Sequence, residues 1–153
     1  MKVVGVTCSA NTALLTGVVD GRVVRLPVER IEVAHRYEAS SELEETQEEI
    51  GRVYAQIKPE LVVLLKPEPT PKWGYDAIAP RVALETLLRL AAVEADIAID
   101  LIARATVRAR LGLPVTGKLA SRVAARVPEP VGPYWSVGRD IAALAALAGE
   151  AGA

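Results

Sequence analysis

Residues 2–28 read KVVGVTCSANTALLTGVVDGRVVRLPV, and they carry the clearest signals of secondary structure in the chain. Two Val- and Leu-rich runs are separated by the turn-prone residues 9–12, and a third run follows Asp20-Gly21. Asp-Gly between such runs is a strong hairpin signal, because both turn positions tolerate a positive φ. The stretch therefore predicts three antiparallel strands, with Pro27 at an edge or an end of the third. These strands cover residues 2–8, 13–19 and 22–28.

A helix and a buried strand are predicted to follow this meander. Ser41 and Glu44 have the spacing of a capping box, in which the hydroxyl caps the first turn and the glutamate reaches back. Apolar residues then recur at helical spacing as far as Pro59, which ends the helix. Residues 61–65, LVVLL, are typical of a strand covered on both faces. Because a helix connects this strand to the meander, we expect it to pair in parallel.

The second half of the chain is predicted to be mostly helical. Alternate prolines exclude regular structure in residues 66–76, and Pro80 suits the first position of a helix. Residues 96–100 either continue this helix or form a short last strand, and we predict the strand. Alanine-rich helices are expected after it, over residues 101–111, 117–126 and 139–148.

Length and composition bound the class of protein. A chain of 153 residues suits one domain, which we place at residues 1–148, with residues 149–153 as a flexible tail. Hydrophobic residues at 51% and charged residues at 24% exclude disorder over the whole chain. One cysteine excludes an internal disulfide and a cysteine-built metal site. Without a signal peptide or a long apolar run, we expect a cytoplasmic protein with no membrane partner.

The predicted order of elements is three antiparallel strands, a helix, a strand, a helix, a strand and further helices. This order resembles the ribonuclease H-like fold, and within it the RuvC resolvase branch and its uncharacterised relatives. The resemblance implies an α/β fold with a mixed five-stranded sheet, three antiparallel strands and then two parallel ones, flanked by helices. The matching features are a first strand ending at Thr7, Lys58-Pro59-Glu60 before a buried strand, a helix opening near Pro80, GLPVTGK at residues 112–118, and DIAALA from Asp140 in the final helix.

The resemblance also implies acidic side chains at the ends of the first and fourth strands and in the last helix. Carboxylates there would bind a pair of Mg²⁺ ions that clamp the attacking and leaving oxygens of a phosphodiester. Thr7 and Lys66 stand at the two strand positions and supply no carboxylate, whereas Asp140 stands in the helix. Glu68 and Asp76 are displaced acids that could substitute.

The missing acids favour a function without catalysis. We expect a non-enzymatic RuvC-like binding or scaffold module with no metal and no cofactor, and with weak affinity for nucleic acid. The alternative is a divergent nuclease, dependent on Mg²⁺ or Mn²⁺, that uses Asp140 and Glu68 with help from Asp76.

The net charge of −1 conceals an uneven distribution of charge. Residues 29–60 carry nine acidic and four basic side chains, whereas residues 101–127 carry six basic and no acidic ones. A basic stripe is typical of phosphate binding. The structural alternative is that these are outer helix faces, which pair with the acidic half of this chain or of another copy. Within two predicted helices, Arg104 and Arg108 are four apart, as are Lys118, Arg122 and Arg126. The nucleic-acid-binding candidates are Arg104, Arg108, Arg110, Lys118, Arg122 and Arg126.

Two aromatic pairs are candidates for a protein interface. Trp73 and Tyr75 lie in the proline-rich segment, and Tyr134 and Trp135 follow Pro133. Aromatic residues in irregular segments serve as interface anchors or stacking platforms. They can equally cover the ends of a sheet in a chain that lacks Phe. The interface interpretation predicts a homo-oligomer, most simply a dimer.

Two further motifs have ordinary structural interpretations. The segment Gly112–Lys118 is one residue short of a P-loop, because Leu119 stands in place of the Ser or Thr that binds Mg²⁺. Cys8 and His35 are each unique, so a nucleophile pair would require the fold to bring them together. A buried cysteine and a surface histidine are the simpler expectation.

Overall fold

The computed structural model describes residues 1–67 and 74–153 and contains a mixed sheet with helices on both faces. No helix in the described part of the chain is long and apolar enough to cross a membrane. The strands are β1 (Lys2–Ser9), β2 (Thr12–Val19), β3 (Arg22–Val24), β4 (Arg30–Glu32), β5 (Leu61–Leu65) and β6 (Ala98–Ile102). The α-helices are α1 (Ser40–Ile57), α2 (Tyr75–Glu94), α3 (Arg104–Leu111) and α4 (Arg139–Gly152), and 3₁₀ helices cover Leu119–Ala125 and Trp135–Val137.

The strand order is β3-β2-β1-β5-β6, with β4 also paired to β2. β1 and β2 are antiparallel along their whole length, and β5 and β6 pair in parallel, which confirms the predicted mixed sheet. The predicted third strand, residues 22–28, is shortened to β3, and the unpredicted β4 pairs with β2 after it, so the sheet of the described residues has six strands instead of five. The gap between β3 and β4 contains Pro27, which has no N–H to donate to the ladder.

Side chains of the central strands alternate between two cores. Val4 and Val6 of β1 pack on one face, in a core that also contains Tyr54 of α1 and Leu88 of α2. Val3 belongs to the core of the opposite face, which is built from α3, α4, the 3₁₀ helices and the adjoining loops. We call these the α1–α2 face and the α4 face.

Several helix boundaries differ from the prediction. The capping box at Ser41 and Glu44 is wrong: Ala39 is the N-cap residue and no side chain caps the helix. Instead, the Glu38 N–H donates to Glu42 Oε2 at 2.9 Å. The second helix begins before Pro80, because the Gly74 carbonyl already accepts the first helical hydrogen bonds.

The C-terminal elements also differ in detail. The strand predicted at residues 96–100 exists, but it lies two residues later as β6. The helix predicted over residues 117–126 is a 3₁₀ helix. α4 continues to Gly152, so most of the predicted tail forms the end of this helix, and Gly149 packs against Val63 of β5.

Candidate functional site

The carboxyl ends of β1, β5 and β6 lie at one edge of the sheet, which we call the site edge, because the three strands are parallel. α4 begins at this edge. The Thr7 hydroxyl donates to the Gly138 carbonyl at 3.2 Å, and a Cβ on Gly138 would lie 3.1 Å from Thr7 Oγ1. The fold therefore brings Thr7 to the start of the last helix, as the sequence resemblance implied.

At the end of β5, the residue that lies on the α4 face is not the residue that the sequence singled out. Val63 and Leu65 belong to the core on the α4 face, whereas Val62 and Leu64 belong to the core on the α1–α2 face. The last residue of β5 on the α4 face is therefore Leu65. Lys66, which the sequence placed at the family position, has the opposite parity and is exposed. The sequence carries no signal for this difference, because the face to which each residue of β5 belongs is set by the helices that pack on the sheet.

Asp140 occupies the first turn of α4 and is buried. Its Oδ1 accepts a hydrogen bond from the Ile141 N–H at 2.7 Å, so this carboxylate oxygen is bound to the backbone of its own helix. Burial raises the pKa of Asp140 because the charged form loses hydration, and hydrogen bonds from the adjacent backbone only partly offset this.

The described residues at this edge do not fit a pair of Mg²⁺ ions. Of those named above, Thr7, Leu65 and Gly138 supply no carboxylate, and Asp140 supplies one. Within residues 1–67 and 74–153, no three His, Cys, Asp or Glu side chains cluster in a way that could hold a metal. Asp76 is exposed at the start of α2. It lines a cleft together with Ser9, and Asp140 is not among the residues that line this cleft. Glu68 lies outside the described residues.

Two of the predicted nucleic-acid-binding arginines hold the loop of residues 112–118, and a third holds the end of α3 just before it. Arg108 donates to the carbonyls of Pro114 and Gly117, the latter at 2.6 Å. Arg122 donates to the Thr116 carbonyl at 2.8 Å, and Arg126 donates to that of Leu111. These guanidinium groups therefore donate the hydrogen bonds that the backbone carbonyls would otherwise receive from water.

The basic set is also not gathered at the site edge. Arg110 contacts Asp100 at 3.5 Å and the Ala148 carbonyl at 3.4 Å, near the end of α4 that is remote from Thr7. Arg126 lines a cleft with Glu150 of the same end. Arg104 is the first residue of α3, just after β6, and Lys118 is exposed as the last residue of the loop. Because Leu119–Ala125 is a 3₁₀ helix, the spacing of four does not keep Lys118, Arg122 and Arg126 on one face.

The aromatic candidates separate into core and surface residues. Trp135 is 8% exposed and packs in the core on the α4 face, so it covers the end of the sheet. Tyr134 is half-exposed, and the guanidinium carbon of Arg30 lies 5.0 Å from the centre of its ring. Tyr75 is 83% exposed at the start of α2. Trp73 lies outside the described residues.

A buried ion pair that the sequence does not signal holds α4 to the sheet. The fully buried Arg139 donates from Nε to the Leu15 carbonyl at 2.9 Å and from Nη1 to the Pro133 carbonyl at 2.8 Å. Its Nη2 lies 3.1 Å from Glu29 Oε1, which also accepts from Arg25 Nε at 2.8 Å. Burial lowers the pKa of Arg139, and the Glu29 carboxylate opposes that shift. No local pattern links Arg139 to an acid in the meander.

The remaining sequence motifs do not form sites. Cys8 is buried, and burial raises the pKa of its thiol far above the ordinary range. His35 turns its ring nitrogens to Glu42 Oε2 at 3.4 Å and Thr46 Oγ1 at 3.2 Å, and not to Cys8. The segment that resembles a P-loop follows α3 instead of a strand, which is not the context in which a P-loop binds phosphate.

Solved structures of low sequence identity share this architecture. No family model matches the chain, and no curated protein matches it significantly. Thermus thermophilus RuvC in complex with a Holliday junction substrate has a TM-score of 0.72 at 17% identity, covering 99% of this chain and 94% of that one. A second Thermus thermophilus RuvC structure has a TM-score of 0.70 at the same identity and coverage. The yeast mitochondrial Holliday junction resolvase Ydc2 has a TM-score of 0.63 at 8% identity, covering 95% of this chain and 76% of that one. The chain therefore has the ribonuclease H-like fold in its RuvC-like form.

Proposed function

We propose that this chain is a cytoplasmic, RuvC-like binding module that associates with nucleic acid without cleaving it and forms a homodimer. The observation that carries the proposal is the chemistry of the site edge. Thr7 and Leu65 stand at the ends of β1 and β5 on the α4 face, where a two-metal nuclease needs carboxylates. One buried acid, Asp140, does not replace them, because a pair of ions shares several oxygen ligands.

Nucleic-acid binding is supported by the fold and by the charge of the C-terminal half. The similar Thermus RuvC is described in complex with a Holliday junction substrate. Residues 101–127 of this chain carry no acidic side chain. Although Arg108 and Arg122 donate to loop carbonyls and Arg126 donates to the Leu111 carbonyl, a guanidinium that donates to a carbonyl keeps its full positive charge. The loop surface therefore remains cationic toward phosphates, and we expect binding that weakens steeply with salt.

Dimerisation is supported by the outer face of α2. Tyr75, Ile78, Val82, Leu90 and Val93 are exposed and lie within one third of the helix circumference, opposite the buried face. The exposed Thr86 and Arg89 lie in the same sector, so the outer face is mostly but not wholly apolar. A helix with a second, mostly apolar face is typical of an element covered twice. α2 has 20 residues and spans about 30 Å, so one stripe can pack on its own copy about a two-fold axis. A second copy is the occupant that this self-complementary surface favours.

The test of nucleic-acid binding uses a labelled four-way DNA junction and a duplex of the same sequence. We expect the fluorescence anisotropy to rise at 25 mM salt and the affinity to fall by at least tenfold at 200 mM. Lys118→Gln is expected to reduce the salt slope by about one, whereas Arg52→Gln, an exposed arginine on the acidic α1, leaves it unchanged. Absence of binding at 25 mM salt overturns the proposal.

Cleavage assays separate the module from the divergent nuclease. With Mg²⁺ or Mn²⁺ added, we expect the junction and the duplex to remain intact. Cleavage that is lost in Asp140→Asn would instead establish the alternative, in which Asp140 and Glu68 hold the metal.

The test of the dimer is the mass of the chain in solution, measured by light scattering. We expect the wild type to have twice the mass of one chain and Val82→Glu to have the mass of one chain. The reason is that a charge at the centre of the exposed apolar face of α2 is costly to bury in an interface. Val115→Glu is the matched control, since Val115 is 85% exposed in the loop of residues 112–118 and not on α2. A monomeric wild type, or loss of the dimer in both variants, contradicts the α2 interface.

A further inference from the structure

Tyr134 is an aromatic side chain at the site edge that the proposed function does not use. It directly precedes the buried Trp135, yet 44% of Tyr134 is exposed. The guanidinium carbon of Arg30 lies over its ring, 5.0 Å from the centre. At this distance a cation is attracted to the electron-rich face of an aromatic ring. Arg30 therefore holds one face of the ring, while the ring as a whole is not enclosed.

The register of the sheet places this pair of residues beside Thr7. Thr7 of β1 pairs with Leu14 of β2, and Leu14 pairs with Arg30 of β4. Partners in an antiparallel ladder point to the same face, and neighbouring strands lie about 4.8 Å apart. Arg30 therefore lies on the α4 face, about 10 Å from Thr7. Because α2 packs on the opposite face, a dimer through α2 does not involve Tyr134.

The backbone holds Tyr134 in a strained conformation. Its φ is 58°, in the left-handed region that is costly for a bulky side chain. Such strain persists only where the surroundings impose it, and it is concentrated at ligand-binding sites. Here the buried Arg139 donates to the carbonyls of Val131 and Pro133. On the other side, Trp135 is packed in the core, so the chain is anchored before and after Tyr134 and the ring is preorganised.

We propose that Tyr134 is a stacking platform for one unpaired base of a bound nucleic acid, with Arg30 supporting its ring. The inference rests on the proposed function, because it names the contact made by the base of a strand whose phosphates the cationic loop attracts. Bases stack on exposed aromatic rings whatever their sequence, because every base has a flat face. A preorganised ring loses little entropy when it stacks. Val137 is 69% exposed and its N–H donates to the Tyr134 carbonyl at 3.4 Å, so it adds apolar surface one turn away.

The charge beside the platform distinguishes this contact from phosphate binding. Arg30 forms an ion pair with Glu32 at 3.1 Å, so the positive charge next to the ring is balanced by a carboxylate. Contacts to phosphates release counterions and weaken with salt, whereas stacking on Tyr134 releases none. We therefore expect the platform to add affinity that does not depend on salt, and only for strands that carry bases.

The experiment compares two labelled single strands of equal length, oligodeoxyadenylate and an abasic strand that keeps every phosphate. By fluorescence anisotropy at 25 mM salt, we expect the wild type to bind the adenylate strand about tenfold more tightly. Tyr134→Ala should remove this preference and leave both the affinity for the abasic strand and the salt slope unchanged. Tyr134→Phe should keep the preference, because it keeps the ring. Leu43→Ala, which truncates an exposed apolar side chain on α1, is the matched control and should alter neither affinity.

A second measurement uses the unaltered chain and so does not depend on the folding of a variant. The ring current of a stacked base shifts the ring protons of Tyr134 upfield in a proton NMR spectrum, in which Tyr134→Phe identifies them. We expect this shift with the adenylate strand and not with the abasic one.

Three outcomes overturn the assignment. These are equal affinities of the wild type for the two strands, equal losses for both strands in Tyr134→Ala, and the absence of the upfield shift when adenylate is bound. Failure here is distinguishable from failure of the proposed function. A junction that binds equally well to the wild type and Tyr134→Ala, with no preference for adenylate, refutes the platform alone. A preference for adenylate that depends on Tyr134, without junction or duplex binding, refutes only the proposed function.

Discussion

The replacement Gly5→Ala tests how closely α4 must lie on the sheet. Gly5 is in the middle of β1, on the face that α4 covers. A Cβ built on Gly5 would lie 1.9 Å from the Ala142 carbonyl oxygen and 2.9 Å from the Ala146 nitrogen. Both atoms belong to the helix backbone, so no side-chain rotation relieves the contact.

The cost follows from what has to move. β1 is held by β2 on one side and by β5 on the other, so the strand cannot retreat. α4 must therefore shift outward by more than an ångström, which loosens its packing and the Thr7–Gly138 contact. Overpacking a core costs typically about 1–3 kcal/mol, and a clash between the new Cβ and the backbone of α4, while β1 is fixed by its two neighbours, places this replacement above that range, at about 3–5 kcal/mol.

Urea unfolding followed by circular dichroism measures this cost. Gly51→Ala is the matched control, because Gly51 lies within α1 and an added Cβ there meets nothing within 4 Å. We expect the control to gain about 0.5–1 kcal/mol from its better helix propensity. If Gly5→Ala loses less than about 1 kcal/mol, α4 does not pack on β1 as closely as argued.

Three further predictions concern the buried polar groups. Arg139→Met should lower the free energy of unfolding in urea by about 3–5 kcal/mol, because it leaves the carbonyls of Leu15 and Pro133 without hydrogen-bond donors. A decrease of less than about 1 kcal/mol contradicts this expectation. Because burial raises the pKa of Asp140, the folded state holds this proton more tightly than the unfolded chain, and stability falls as pH rises through the raised pKa. Asp140→Asn should therefore gain stability over the wild type at pH 7 and not at pH 3, and a gain independent of pH would refute that cause. The Cys8 thiol, whose pKa is raised by burial, should react with a disulfide reagent at pH 8 only after unfolding in urea, and prompt reaction of the native chain would show that it is accessible.

The site was predicted less completely than the fold, and the β5 strand shows why. The apolar run 61–65 identifies a buried strand from composition alone. Which of its residues meets α4 is set by the parity of contacts such as that between Val63 and Gly149, and these appear only after the helix has docked. A shift of one residue, from Leu65 to Lys66, therefore reaches the other face of the sheet.

The basic segment gives a second example. Its positive charge is evident in the sequence, and it suggested a continuous binding stripe. The loop of residues 112–118 turns its carbonyls toward Arg108 and Arg122, which bind them before any phosphate arrives. Composition reports the sign of the charge, but it does not report which hydrogen bonds a guanidinium already makes.

The antiparallel meander, the parallel β5 and the positions of most helices can be predicted from the sequence, because alternation, turn chemistry and helical spacing act between near neighbours. The contact of Leu65 with the α4 face, the burial of Arg139 against Glu29 and the cleft lined by Asn11, Arg36 and Asp76 emerge only when the chain has folded. Each of these depends on contacts between segments far apart in the chain, which leave no periodic trace in the order of residues.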